Sequence, residues 1–139
     1  LIVSTREKAN ELSNDSSKDA MIVSYGYARA KKGFMAMAVV PAAQMALDNA
    51  GISIKDVKVI KTHNPFAAND IFFADQIGLD INSFNNFGSS LIFGHPQAPT
   101  AARLIMEGIE ELTDKGGGYL LFTGCAAGDT GAALVLKIG

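Results

Sequence analysis

Apolar and polar positions along this chain switch between a period of two and a period near 3.6, and that switching predicts its elements. Residues 1–4 (LIVS) read as a short buried strand, and residues 6–12 as a short helix ended by the polar SNDSSKD segment. That segment, 13–19, is expected to be a surface loop rather than a linker. Residues 20–28 (AMIVSYGYA) have the β-branched and aromatic content of a strand, whereas the following KKGFMAMA fits neither period. Val40, Ala43, Leu47 and Ala50 recur at helical spacing, and Gly51 stops that helix. Residues 56–61 (DVKVIK) are a short strand. In HNPFAANDIFFADQIGL, Asn64 is placed as a helix N-cap and Pro65 at the first helical position. Ala67, Ile71 and Ala74, beside Phe66, Phe73 and Ile77, predict a wide and mostly buried face for that helix. LIFGHP is a brief apolar run broken by Gly94, and a further helix spans 99–113 with Ala101, Ile105, Gly108 and Leu112 inward. Residues 119–123 and 132–138 are two strands in an antiparallel hairpin. The expected class is a layered α/β fold, βαβαβαββ-like, with helices flanking a mixed sheet.

Size and composition narrow the picture. The 139 residues suit one domain, and 48% hydrophobic content provides for a real core. A net charge of -2 and no basic patch argue against nucleic-acid binding, and no apolar run is long enough to span a bilayer. A single cysteine allows no internal disulfide, and no signal segment precedes it, so the cytoplasm is the expected location. The chain opens inside an apolar run without methionine, and is expected to be part of a longer protein.

Candidate chemistry rests on three residues. His63, His95 and Cys125 are the groups that titrate near neutrality or act as soft nucleophiles, and each follows an apolar, strand-like run. Ligands bind beyond the carboxyl ends of strands in α/β sheets, so parallel strands would bring the three to one rim. Alone, each also has a structural reading: a buried cysteine filling space, or a histidine capping a helix. Other motifs carry less. GGG at 116–118 lacks the Lys-Ser or Lys-Thr of a phosphate-binding loop and reads as a turn. The three residues, about 30 positions apart, match no common zinc spacing, so no metal is expected unless the fold assembles a site. Asp70 and Asp75 point to different sides of their helix and are expected at the solvated surface, and Ser89-Ser90 in a turn.

Three blocks, in order and at matching spacing, resemble the carboxyl-terminal domain of thiolases. HNPFAAND at 63–70 is similar to the block N-E-A-F in its histidine variant, as in sterol-carrier-type thiolases. GHP at 94–96, followed by Ala102-Arg103, resembles the G-H-P block, and GCAAGDTGAALVL at 124–136 the C-x-G block with its terminal strand. VVPAAQMALDNAGI at 39–52 resembles the family's preceding helix and turn, so the likeness covers nearly the whole chain.

The resemblance implies a catalytic half-site acting on coenzyme A thioesters, with no permanently bound cofactor. Thiolases form or cleave a carbon–carbon bond through an acyl-cysteine whose cysteine lies in the amino-terminal half, the implied partner of this one. By the resemblance, His95 activates that cysteine and donates to a thioester oxygen. Cys125 moves the proton at the α-carbon, His63 helps polarise the same oxygen, Phe66 lines the pantetheine channel, and the Ala127 N–H serves an oxyanion hole. Residues 1–139 then form one C-terminal thiolase-like domain of a homo-oligomer. The departures are Ala127 in place of a glycine, Ala98-Pro99 after Gln97 in place of Gly-Ala, and Asn64 in place of the acid. Two alternatives remain open: a ketoacyl or hydroxymethylglutaryl-CoA synthase relative, against which Cys125 argues, and a non-catalytic scaffold subunit.

Overall fold

Strand-forming runs that alternate between two buried faces set the frame. In the computed structural model, which describes residues 1–15 and 19–139, the elements in order are α1 (Arg6–Leu12), β1 (Met21–Arg29), α2 (Val39–Ala50), β2 (Val57–Thr62), α3 (Ala67–Ile77), α4 (Ser90–Phe93), α5 (Pro99–Asp114), β3 (Gly118–Ala126) and β4 (Thr130–Ile138). KKGFMAMA ends in a 3-10 turn, Met35–Ala38, that leads into α2. The sheet order is β1-β4-β3-β2, with β2 and β3 parallel and the other two pairs antiparallel. The expected mixed sheet and hairpin are therefore present.

Period two explains why YLLF reads as an unbroken apolar run. Leu121 packs with α2 and α3 on one face of the sheet, while Leu120 and Phe122 pack with α5 on the other. A strand covered on both faces has no polar side to show. Truncating either leucine to alanine would cost about 2–5 kcal/mol. α2 lies close because its inner face is Ala42, Ala43 and Ala46 and because Gly26 on β1 has no side chain. A Cβ at Gly26 would stand 2.1 Å from the Ala42 carbonyl oxygen. Hydroxyls tie the layers together, Ser24 Oγ donating to the Ala46 carbonyl at 2.6 Å and Thr123 Oγ1 to that of Val39 at 3.0 Å. Gly51 ends α2 at φ 69°, as expected. On the opposite face Lys61 is 0% exposed and pairs with the equally buried Glu111 of α5 at 2.9 Å.

Several expectations are corrected. Residues 1–4 form no strand, and Leu1, Ile2 and Val3 are 68–78% exposed, because no neighbouring strand is there to pair with them. Among the described residues the element order is αβαβαααββ, with four strands rather than five. LIFGHP is not strand-like. Leu91, Ile92 and Phe93 sit on the short α4 and are exposed. α3 starts at Ala67 with Phe66 as N-cap, since the Asn64 side chain is engaged elsewhere. Its buried residues are Asn69, Asp70, Phe73 and Ala74, while Ile71 faces solvent. Asp75 is exposed as expected, but Asp70 is buried. Of the 13–19 loop, residues 16–18 lie outside the described residues.

Candidate active site

Parallel pairing places two of the three chemical residues side by side. Thr62 on β2 pairs with Thr123 on β3, and the next residue, His63, donates its backbone N–H to the Thr123 carbonyl at 2.8 Å. Cys125 follows two residues further along β3, at the same end of the sheet. His95 reaches this end by another route. It follows α4 and Gly94 rather than a strand, and its ring centre lies 4.2 Å from that of His63. All five residues expected in the site, His63, Phe66, His95, Cys125 and Ala127, line one open cleft of ≈ 550 Å³. Among the described residues, no Asp, Glu, Lys or Arg lines it. Phe66 stands at 66% exposure, apolar and available to a flexible ligand chain.

His63 is 7% exposed, and its Nδ1 lies 3.0 Å from Ser90 Oγ. Burial, then the electrostatic influence of His95 and Arg103, push its pKa down to about 4. It is therefore a neutral imidazole at pH 7. When the Ser90 hydroxyl donates to Nδ1, the proton stands on Nε2, and a neutral N–H donor results. His95 Nδ1 lies 2.9 Å from Oγ1 of Thr100, itself buried in the first turn of α5. The Cys125 thiol is half-buried. Burial raises its pKa, opposed by a backbone hydrogen bond and by Asn69. The thiol is the resting form at neutral pH.

Around His63 runs a buried polar network that sequence reasoning missed. Asp70 accepts from Thr62 Oγ1, from Asn64 Nδ2, and from Asn85 Nδ2 at 3.2 Å. Asn85, held at φ 57° where asparagine is tolerated, accepts from the Thr62 N–H at 2.9 Å. Asn64 Oδ1 accepts from the Ser90 N–H at 3.0 Å, which seats the serine that faces His63. One signal was available: Asp70 lies four residues after Phe66 and three before Phe73, on the expected apolar stripe of α3. Asn69 was also missed, and its Nδ2 stands 3.7 Å from Cys125 Sγ. Ala127 does not have a positive φ; Gly128 at 83° and Asp129 at 60° make the turn instead. The alanine at the expected glycine position is thus unstrained.

The match to known proteins follows this geometry. The family model described as thiolase, C-terminal domain, covers residues 16–138. The chain belongs to that family. A 3-ketoacyl-CoA thiolase of Photobacterium profundum is 41% identical over 69% of this thiolase domain and 26% of the relative. One of Vibrio cholerae is 40% identical over 70% and 26%. The fold matches human mitochondrial 3-ketoacyl-CoA thiolase at TM-score 0.88 and 26% identity, over 98% of this chain and 34% of that one. It matches Bacillus anthracis acetyl-CoA acetyltransferase at 0.88 and 28% identity, over 97% and 34%. The thiolase domain described here spans about a quarter of the length of the curated relatives it matches.

Proposed function

We propose that this domain supplies one half of the active site of a thiolase, an acyltransferase that joins or cleaves acyl chains carried as coenzyme A thioesters. The observation that supports this best is the convergence of His63, His95 and Cys125 on one cleft that no Asp, Glu, Lys or Arg among the described residues lines. Cys125 is the acid/base at the α-carbon: its thiol gives a proton to the carbanion in cleavage, and its thiolate takes one in condensation. His63, neutral, donates an N–H toward the thioester oxygen without adding a formal charge. His95 donates to the same oxygen and activates the acyl-accepting cysteine. The only cysteine of this chain is Cys125, so that nucleophile comes from an amino-terminal half, the partner this reading requires. Negative charge that collects on the oxygen as the α-proton leaves is where fixed donors act, and one such donor contributes on the order of 3 kcal/mol. Phe66 and the Ala127 N–H border the pantetheine arm and an oxyanion position. A homo-oligomeric cytoplasmic enzyme of lipid metabolism is the setting this reading implies, with coenzyme A as substrate rather than resident cofactor.

The deciding experiment uses the longer protein that carries this domain. Cleavage of acetoacetyl-CoA by coenzyme A is measured for the wild type and for Cys125→Ser. A hydroxyl keeps the shape but transfers the proton poorly, so turnover is expected to fall by about 10²–10⁴-fold. Equal turnover would remove Cys125 from the chemistry, and no acyl transfer by the wild type with any β-ketoacyl-CoA would remove the function.

A further inference from the structure

Asn69 sits on the inner side of α3 at 3% exposure. Its amide nitrogen has one side-chain partner among the described residues, the Cys125 sulfur at 3.7 Å, and its Oδ1 has none. Leaving a buried carbonyl oxygen unpaired costs about 1–3 kcal/mol, so packing alone does not explain an amide here. The neighbouring Asp70 is different: each of its oxygens accepts from a partner in the network around Thr62. The Asn69 side chain stands outside that network and, among the described residues, is tied only to the sulfur.

An amide with no third partner is free to turn about its last bond, exchanging nitrogen and oxygen. In one orientation N–H donates to a thiolate; in the other the carbonyl accepts from S–H. We propose that Asn69 is the positioning residue for Cys125, holding the sulfur in place in both of its protonation states. This rests on the reading of Cys125 as the acid/base. The two orientations are unequal, because a hydrogen bond to the charged sulfur is about twice as strong as one between neutral groups. The amide therefore favours the thiolate, against the burial that disfavours it.

Among the described residues, His63 and His95 are the titratable groups that share the cleft with the thiol, and Asp70 is turned away toward Thr62, Asn64 and Asn85. Their influence is common to wild type and variant, so a difference between the two reads Asn69. Since the chain holds one cysteine, thiol titration is unambiguous. The test is the pH dependence of iodoacetamide alkylation of this chain, checked by thiolate ultraviolet absorbance, with Asn69→Leu as the variant. Leucine keeps the branched shape and removes both polar atoms. The alkylation midpoint is expected to rise by about one pH unit, and the rate at pH 7 to fall about tenfold. A merely structural role would move the melting temperature and leave the midpoint in place. An unmoved or lowered midpoint overturns the proposal. If the leucine variant does not fold, Asn69→Ala is read by the same criterion. No thioester enters this assay. A raised midpoint here, with no acyl transfer by the longer protein that carries this domain, would therefore remove the acyl-transfer reading while leaving Asn69's hold on the sulfur.

Discussion

His63 and His95 stand with ring centres 4.2 Å apart, yet they are held in opposite ways. His63 continues a strand buried on both faces. Its backbone is bonded to Thr123, its ring faces Ser90, and Ser90 is fixed by Asn64, which is fixed by Asp70. His95 lies in an exposed stretch, between Gly94 at φ 84° and the turn at Gln97, whose φ of 63° is unusual for a side-chain-bearing residue. Its ring has one hydrogen-bond partner among the described residues, Thr100. The same residue type is thus built once into the sheet and once onto an arm. A group seated in a fixed polar network suits a static donor. A group on a lightly held arm suits a role that involves a second protein segment.

Breaking the fixed side has the largest expected effect. Asp70→Ala removes the acceptor shared by Thr62, Asn64 and Asn85, leaving buried donors without partners. At about 1–3 kcal/mol for each unsatisfied group, a loss of about 4 kcal/mol in unfolding free energy is expected. Urea denaturation of wild type and variant measures it. A loss under about 1 kcal/mol would mean that this carboxylate does not organise the His63 side.

The contrast also separates what was legible in the sequence from what was not. α2 with its glycine stop, the β3–β4 hairpin, and His63 and Cys125 at the sheet's end follow from local spacing, and local spacing carried them. Three things depended on distant partners. Residues 1–4 have strand composition but pair with no strand among the described residues. Asn64 looked like a cap because it precedes Pro65 and an apolar helix, yet Asp70 and the Ser90 N–H compete for its side chain and win. Lys61 was expected only as the end of a short strand, and its burial depends on Glu111, which meets it from α5. His95 was placed correctly in the cleft for a wrong reason. It was expected at a strand end, and it arrives from a short helix whose apolar residues face outward.

Acid should weaken the His63 side next. In the unfolded chain the imidazole takes a proton below about pH 6.5. In the folded chain burial, with His95 and Arg103, pushes that step down to about 4. Between these values the unfolded state binds more protons, so stability present above pH 6.5 declines as pH falls and is fully lost near pH 4. The whole step is worth about 3 kcal/mol. Denaturation midpoints from pH 7 to pH 4, compared with His63→Asn, isolate it, since carboxylates titrate in both proteins. Parallel curves for the two proteins would show that His63 is not held neutral.

The arm should respond least in stability and most locally. Thr100→Val keeps the volume of a buried residue in the first turn of α5 and removes the hydroxyl that faces His95 Nδ1. One hydrogen bond of this kind contributes about 1 kcal/mol, so global stability should fall by no more than that. The imidazole itself is the sharper readout. Nitrogen NMR of His95 should show a changed tautomer balance, because the Thr100 hydroxyl is the partner that biases which ring nitrogen carries the proton. His63, tied to Ser90 and not to Thr100, should keep its spectrum. A change at both rings would mean that the 4.2 Å contact couples them and that the arm and the sheet end act as one unit. A change at His95 alone would confirm that the two imidazoles are set independently, one by the Asp70 network and the other by a single hydroxyl.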